Sequence, residues 1–198
     1  MSLELIADSV IEPISYQQVL THLRINPYDE EIDEASVEYI ETLITAVRQD
    51  VESFTSRALI TQTWKYYMNV WPEGNYIDIP KPPLQSVTSI TALTEAEVAA
   101  VFDEVYYHVD TKSQPGKIIL AADESWPTET LYAMNPIQII FVCGYGSLAE
   151  SVPKRIIQAM LLQISDLYEN RETIIIGKGF QRLDTVERLL WPYRVRVV

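Results

Sequence analysis

The feature that most constrains this fold is a change of hydrophobic period near Arg57. Before it, Ile32, Ile40, Leu43, Ile44, Val47, Val51 and Phe54 recur at spacings that gather on one face of an α-helix. After it, Trp64, Tyr66, Met68 and Val70 alternate with Lys65, Tyr67 and Asn69, which suits a strand with one buried face. One element cannot hold both periods, so helices and strands must share the chain.

Local signals place the helices. Ser15 with Gln18 three residues on, and Ile14 and Val19 around them, read as a capping box with a hydrophobic staple. A short helix is expected over about 16 to 24, ended by Asn26-Pro27. The long stripe predicts a helix over about 30 to 57, with Glu30, Glu31 and Asp33 at the positive end of its dipole. Helical spacing returns with Ile156, Ile157, Met160, Leu161, Ile164, Leu167 and Tyr168, to about Arg171, with Ser151 as the cap and Pro153 in the first turn. A last short helix starts at Asp184, carries Val186, Leu189 and Leu190, and ends at Trp191-Pro192, with Glu187 completing an acidic capping box.

Between the long helix and the third helix, strand-like runs occupy Tyr76 to Ile79, Val87 to Leu93, Val105 to Val109, Lys117 to Leu120 and Ile137 to Val142, punctuated by Pro and Gly. Glu95 to Val101 reads as a helical turn among them. No Gly-, Ser- or charge-rich linker separates the parts. The expected class is therefore α+β: a helical core of short helix, long helix and C-terminal helix, with a β-rich insertion between the last two. Residues 1–61 form the N-terminal helical part, 62–147 the insertion, and 148–198 the C-terminal helix and a basic tail.

The chain has 198 residues and a formal net charge of −13. Residues 1–60 carry 3 basic and 12 acidic side chains, residues 61–150 carry 4 and 11, and residues 151–198 carry 8 and 5. An acidic body of this kind does not suit a general nucleic-acid binder, which needs clustered Lys and Arg for phosphates. The basic C-terminal quarter instead suits docking on something acidic, another copy included. One cysteine leaves no disulfide framework, and reducing surroundings fit. No secretory leader is expected, because Glu4 and Asp8 stand where a signal peptide carries basic residues. The apolar runs Ile137 to Cys143 and Thr173 to Ile176 are far shorter than the roughly 18 residues that span a bilayer, so a soluble protein is expected.

Catalytic and metal-binding patterns are poorly represented. A nucleophilic Cys143 needs a base, and the histidines are His22 and His108. A Cys143–His108 pair across strands would make a cysteine-dependent hydrolase, while a buried free thiol is the simpler reading. No CxxC or HxxxH spacing marks a zinc site, and the acidic run Asp29 to Glu34 lacks the Gly and terminal Glu of a calcium loop. Gly144-Tyr145-Gly146 reads as a turn and not a dinucleotide fingerprint, and Gly177-Lys178-Gly179 as a mobile basic loop and not a Walker loop. No catalytic residue, metal or cofactor is expected.

Several stretches together resemble the tailed-phage head-to-tail connector family, the adaptor or head-completion proteins of phages and prophages. They begin with Val19-x-x-His22-Leu23-Arg24-Ile25 and the helix end Val51-Glu52-x-Phe54-Thr55-x-Arg57-Ala58-Leu59-Ile60-Thr61-Gln62-Thr63-Trp64. Pro83 to Ile90, Tyr107-x-Val109-Asp110, Pro115-Gly116-Lys117-Ile118, Trp126-Pro127 and Gly144-Tyr145-Gly146 follow. Val152-Pro153-x-x-Ile156, Leu167 to Glu172 and Leu189-Leu190-x-Pro192-Tyr193-Arg194 complete the order.

The resemblance implies a ring, usually of about twelve copies, beneath the portal at the head vertex, through which DNA passes without sequence-specific binding. Such a protein joins the portal to a stopper or tail-completion protein, acts in the virion after assembly in the host bacterial cytoplasm, and catalyses nothing. Another neck or tail-completion role is the alternative within the same class. On this reading Arg171, Lys178, Arg182, Arg188, Tyr193, Arg194 and Arg196 are candidates for partner docking. Glu52 and Arg57 are candidates for bridging subunits, or are ordinary solvated charges. The loop Thr173 to Phe180 is expected to order only in the ring, and Tyr193 to Val198 reads as a strand able to extend a partner's sheet.

Overall fold

The computed structural model describes residues 2–26, 34–170 and 184–195. Helices and two antiparallel sheets combine in a mixed α+β chain. Its internal contacts divide it into two compact units. Of the described residues, those within Ile11–Ile60 and Gly146–Arg196 form the helical unit, and those within Met1–Val10 and Thr61–Tyr145 the β unit.

In the helical unit, α1 (Tyr16–Leu23) begins at the expected box: Gln18 N donates to Ser15 Oγ at 3.2 Å and Ser15 N to Gln18 Oε1 at 2.9 Å. Ile14 and Val19, the staple pair, are both buried. Arg24 takes a left-handed conformation with φ 58°, turning the backbone out of the helix. The helix α2 (Glu34–Thr55) buries Ile40, Leu43, Ile44, Val47 and Val51, the stripe the periodicity predicts. Its expected start at residue 30 lies outside the described residues, which resume at Glu34. Its end comes two residues early because Ser56, at φ 56°, leaves the right-handed helix, and Arg57 N then donates to Glu52 O at 3.1 Å.

The helix α3 (Lys154–Glu169) buries Ile156, Ala159, Met160 and Ile164. Ser151 is not its cap, because a 3₁₀ turn over Ala149–Ser151 intervenes and Pro153 occupies the N-cap without a side-chain bond. The carbonyl of Pro153 accepts from both Ile156 N at 2.9 Å and Ile157 N at 3.3 Å, which satisfies the N3 amide that a side-chain cap would otherwise take. In α4 (Asp184–Leu190), Val186 and Leu190 are buried, and a 3₁₀ turn over Trp191–Tyr193 follows. The acidic box expected around Asp184 involves a side chain outside the described set.

The β unit holds a five-stranded sheet in the order β1 (Ser2–Ala7), β2 (Gln62–Met68), β8 (Ile137–Cys143), β4 (Leu84–Leu93), β5 (Ala99–Val101). A three-stranded sheet orders β3 (Tyr76–Ile79), β7 (Gly116–Leu120), β6 (Tyr107–Asp110). The central β8 alternates without a break: Ile137, Ile139, Phe141 and Cys143 are buried, with half-buried residues between them. Alternation in β2 holds at Tyr66 and Met68 but fails at Val70, which lies beyond the strand and is exposed.

Three expectations are corrected. Residues 2–7, read as part of the helical segment, form an edge strand that pairs with β2 from Ser2–Tyr67 to Ala7–Thr63. Glu95 to Val101 is a hairpin: Glu97 turns at φ 59° and Ala99–Val101 pairs with Leu93–Thr91, so strand pairing overrides the short helical pattern. Val105 precedes its strand, because Asp103 caps a 3₁₀ turn over Glu104–Tyr106 by accepting from Val105 N at 3.1 Å.

Five aromatic rings fasten one part of the β unit. Trp71 stacks on Trp126 at 5.1 Å between ring centroids, and Phe102 lies within 5.8 Å of Trp71, Trp126, Tyr106 and Tyr107. Trp126 also donates its indole N–H to Gly74 O at 2.8 Å. Each ring pair contributes about 0.5–1.5 kcal/mol beyond the apolar area it buries.

Candidate functional site

Four of the candidate interface residues, Glu52, Arg57, Tyr193 and Arg194, meet at the C-terminal end of α2. Thr55 Oγ1 donates back to Val51 O at 2.7 Å. Beyond the left-handed Ser56, the chain returns so that Leu59 N donates to Glu52 Oε1 at 2.8 Å. The other carboxylate oxygen of Glu52 takes Arg48 Nη1 at 3.3 Å, and Arg48 Nε donates to Glu12 Oε2 at 2.9 Å. Thr45 Oγ1 reaches the remaining oxygen of Glu12 at 2.9 Å. Arg48 and Glu52 are only 3% and 6% exposed. A buried charge is tolerated only when paired and hydrogen-bonded, and these groups are both.

Glu52 and Arg57 are therefore not solvated surface charges. Glu52 joins α2 to the turn after it, and its partner Arg48 carries the link on to Glu12 within the same unit. Arg57, also buried, donates from Nε to the carbonyl of Tyr193. Sequence reasoning passed over Arg48 and Glu12. The available signal was a lone arginine set in the apolar stripe between Val47 and Val51, four residues before Glu52.

The C-terminal segment is tied to the same place. Val195 N donates to Thr55 O at 3.0 Å, and the Arg194 guanidinium lies 5.3 Å from the Phe54 ring centroid and 5.6 Å from that of Trp191. Tyr193 closes a 3₁₀ turn, so it does not begin a strand; Arg194 is extended. Arg188 and Arg194 are exposed, and Trp191 between them is 55% exposed. Arg171, Lys178, Arg182 and Arg196 lie outside the described residues, as does the loop Thr173 to Phe180.

The proposed thiol chemistry finds no assembled pair. Cys143 is fully buried at the end of β8 in the five-stranded sheet, while His108 is exposed on β6 of the three-stranded one. A thiol enclosed by its core offers a substrate no approach. Among the described residues no group of three or more His, Cys, Asp or Glu side chains is placed to hold a metal ion, and no helix is long and apolar enough to cross a membrane. Gly144 and Gly146 form a turn with φ of 121° and 156°, where L side chains are strained.

The chain matches no protein-family model and no curated protein. Its fold does have neighbours among solved structures. A chain from the neck of an empty gene transfer agent (GTA) particle, computed with C6 symmetry, superposes with a TM-score of 0.82 at 21% identity, covering 100% of this chain and 98% of that one. A chain from the virion of a native GTA particle gives 0.75 at 22% identity, with coverage of 100% and 98%. A chain from the neck of the native particle, computed with C12 symmetry, gives 0.68 at 21% identity, again with coverage of 100% and 98%. These likenesses define an α+β fold held over the whole length of both chains.

Proposed function

We infer that this protein is a structural component of the neck of a phage-like particle, and specifically the adaptor of the head-to-tail connector. In this role copies form a ring beneath the portal, join it to a stopper or tail-completion protein, and let DNA pass through without catalysis. The observation that carries the reading is the end-to-end likeness to a GTA neck chain, with no domain left over on either side. The neighbouring necks were computed with C6 and C12 symmetry, which fits a ring of copies for this chain too.

The fold proposed for this role is a helical core with the β-rich segment inserted. Charge is consistent with it. Residues 1–60 and 61–150 bear net charges of −9 and −7, so an inner wall drawn from them repels DNA and lets it slide. Residues 151–198 bear net +3, which suits attachment to an acidic neighbour or to the portal. Arg171, Lys178, Arg182, Arg188, Tyr193, Arg194 and Arg196 are the proposed docking residues. Glu52 and Arg57 act at one remove, by fixing the end of α2 and the carbonyl of Tyr193 from which the C-terminal segment leaves.

The test is mass by light scattering at several concentrations, on the protein alone and mixed with the portal encoded beside it. A ring-sized mass, alone or on the portal, is expected. A monomer that ignores the portal throughout would remove the adaptor role. Replacing Arg194 and Arg196 by Glu should block attachment to portal-bearing heads.

A further inference from the structure

Two exposed surfaces of the described residues are complementary in a way that neither unit uses internally. On the β unit, Val98, Val101, Val105 and Tyr106 are 61%, 73%, 70% and 41% exposed. Exposed Glu97, Asp103 and Glu104 stand among them, and no Lys or Arg occurs between Lys81 and Lys112. This ridge includes β5, an edge strand whose outer side has no sheet neighbour among the described residues. Beneath it Phe102 is buried and packed on Tyr106, Tyr107, Trp71 and Trp126, so its backing is rigid. Its exposed residues follow one another along the chain from Glu97 to Tyr106, interrupted only by the buried Phe102, and mix apolar with acidic side chains.

On the helical unit, Trp191 is exposed between Arg188 and Arg194. Neither arginine has a carboxylate partner among the described residues. Trp191 and Arg194 are nonetheless held in place, by the contact of Arg194 with Phe54 and by the bonds from Arg57 to Tyr193 O and from Val195 to Thr55 O. Tryptophan and arginine are the side chains that most often dominate binding energy at the centre of an interface.

The other edge of the five-stranded sheet, β1, also exposes apolar residues, Leu3, Leu5 and Ile6. It is a poor complement to the ridge, because Glu4 and Asp8 would meet Glu97, Asp103 and Glu104 and like charges in contact repel. The cationic Trp191 surface has the matching sign.

We propose that Trp191, flanked by Arg188 and Arg194, docks in trans on the acidic apolar ridge from Val98 to Tyr106 of a second copy of this chain. The proposal rests on the ring reading and names its contact. One surface meets a different surface on the next copy, so the contact is head-to-tail and propagates around a ring instead of closing a two-fold dimer.

The experiment mixes full-length Pro192→Cys copies with full-length Ala100→Cys copies, both positions exposed beside the proposed contact residues, under a mild oxidant. A disulfide-linked dimer is expected from the mixture and from neither variant alone, which isolates contact between copies. Arg188→Glu with Arg194→Glu should weaken self-association at least about tenfold by sedimentation. Mixing with Asp103→Lys, Glu104→Lys copies should restore it. Val105→Glu, on the opposite surface, should weaken assembly in the same way, so the result does not depend on one variant folding. Ring-sized particles that form undiminished from these variants, without cross-linking, would overturn this contact and leave the ring standing. A wild-type chain that stays monomeric alone and on the portal would overturn both.

Discussion

The two units bury different kinds of interior. In the β unit the interior is apolar and aromatic: Ile137, Ile139 and Phe141 of β8 are wholly buried, and elsewhere in the unit five rings pack together. The helical unit has an equally apolar stripe on α2 and α3, but sets Arg48 and Glu52 into it, with Glu12 and the Leu59 amide as partners. Apolar packing is tolerant of direction; an ion network is satisfied in one geometry only. The difference assigns the units different tasks. The β unit rests on buried apolar area, while the helical unit adds an ion network at the end of α2, beside the segment that leaves Tyr193.

Breaking the apolar side of the comparison should have the largest effect. Phe141→Ala removes a ring with no exposure from the central strand and should cost about 3–5 kcal/mol in urea denaturation. Hydrogen exchange should then rise first in β2, β4 and β8. Equal loss of protection on α2 would mean the two interiors unfold as one.

Arg48→Met tests the ionic side. It takes the guanidinium partner from buried Glu52, and should destabilise by about 3 kcal/mol, the low end for a broken buried pair because Glu12 keeps contact with solvent. The informative readout is order: amide signals of residues 57–60 and 193–195 should broaden before α2 itself melts. A variant as stable as wild type, with those signals unchanged, would refute a locking role.

Ser15→Ala sharpens the comparison within the helical unit. It removes one half of the capping box and should cost about 1 kcal/mol without disturbing the Arg48 network. The melting temperature should fall while the signals at 57–60 stay sharp.

The smallest effect is alkaline and belongs to the β unit. Burial raises the pKa of the Tyr66 phenol, with Asp78 adding to it, and burial raises that of Tyr107, with Glu104 and Asp103 adding. The Tyr67 phenol is raised chiefly by its hydrogen bond to Glu4 on β1. Because the folded values lie above the unfolded value of about 10, the stability these groups contribute is complete below that pH and is lost as pH rises through the folded values. Ultraviolet titration should show Tyr66, Tyr67 and Tyr107 ionising late. Glu4→Gln should bring Tyr67 back toward the ordinary range and leave Tyr107 unmoved.

Much of the secondary structure could be read from the residues in order. The Ser15–Gln18 box, the stripe from Ile40 to Val51 and the alternation in β8 are local patterns, and each reports its element without knowledge of the rest. The strand at residues 2–7 could not be read so. Its six residues are exposed throughout, carry no buried face, and become a strand only by pairing with β2 some sixty residues later. The Ala99–Val101 edge is the same case at shorter range. Among candidate site residues, the basic composition of the C-terminal quarter was visible, while the burial of Glu52 and Arg57 was not, because a carboxylate near a helix end looks alike in sequence whether it faces water or a folded-back amide.

What the sequence determined by itself was therefore the class and the ledger of charge: helices with strands between them, an acidic body, a basic end, and an order of short motifs resembling the connector family. The tertiary structure alone decided which charges are inside, that the C-terminal segment is fastened to Thr55 and Arg57, and that Trp191 stands exposed between two arginines. The physical reason is range. Period, capping and net charge are sums over neighbours along the chain, whereas burial and pairing depend on residues brought together from far apart.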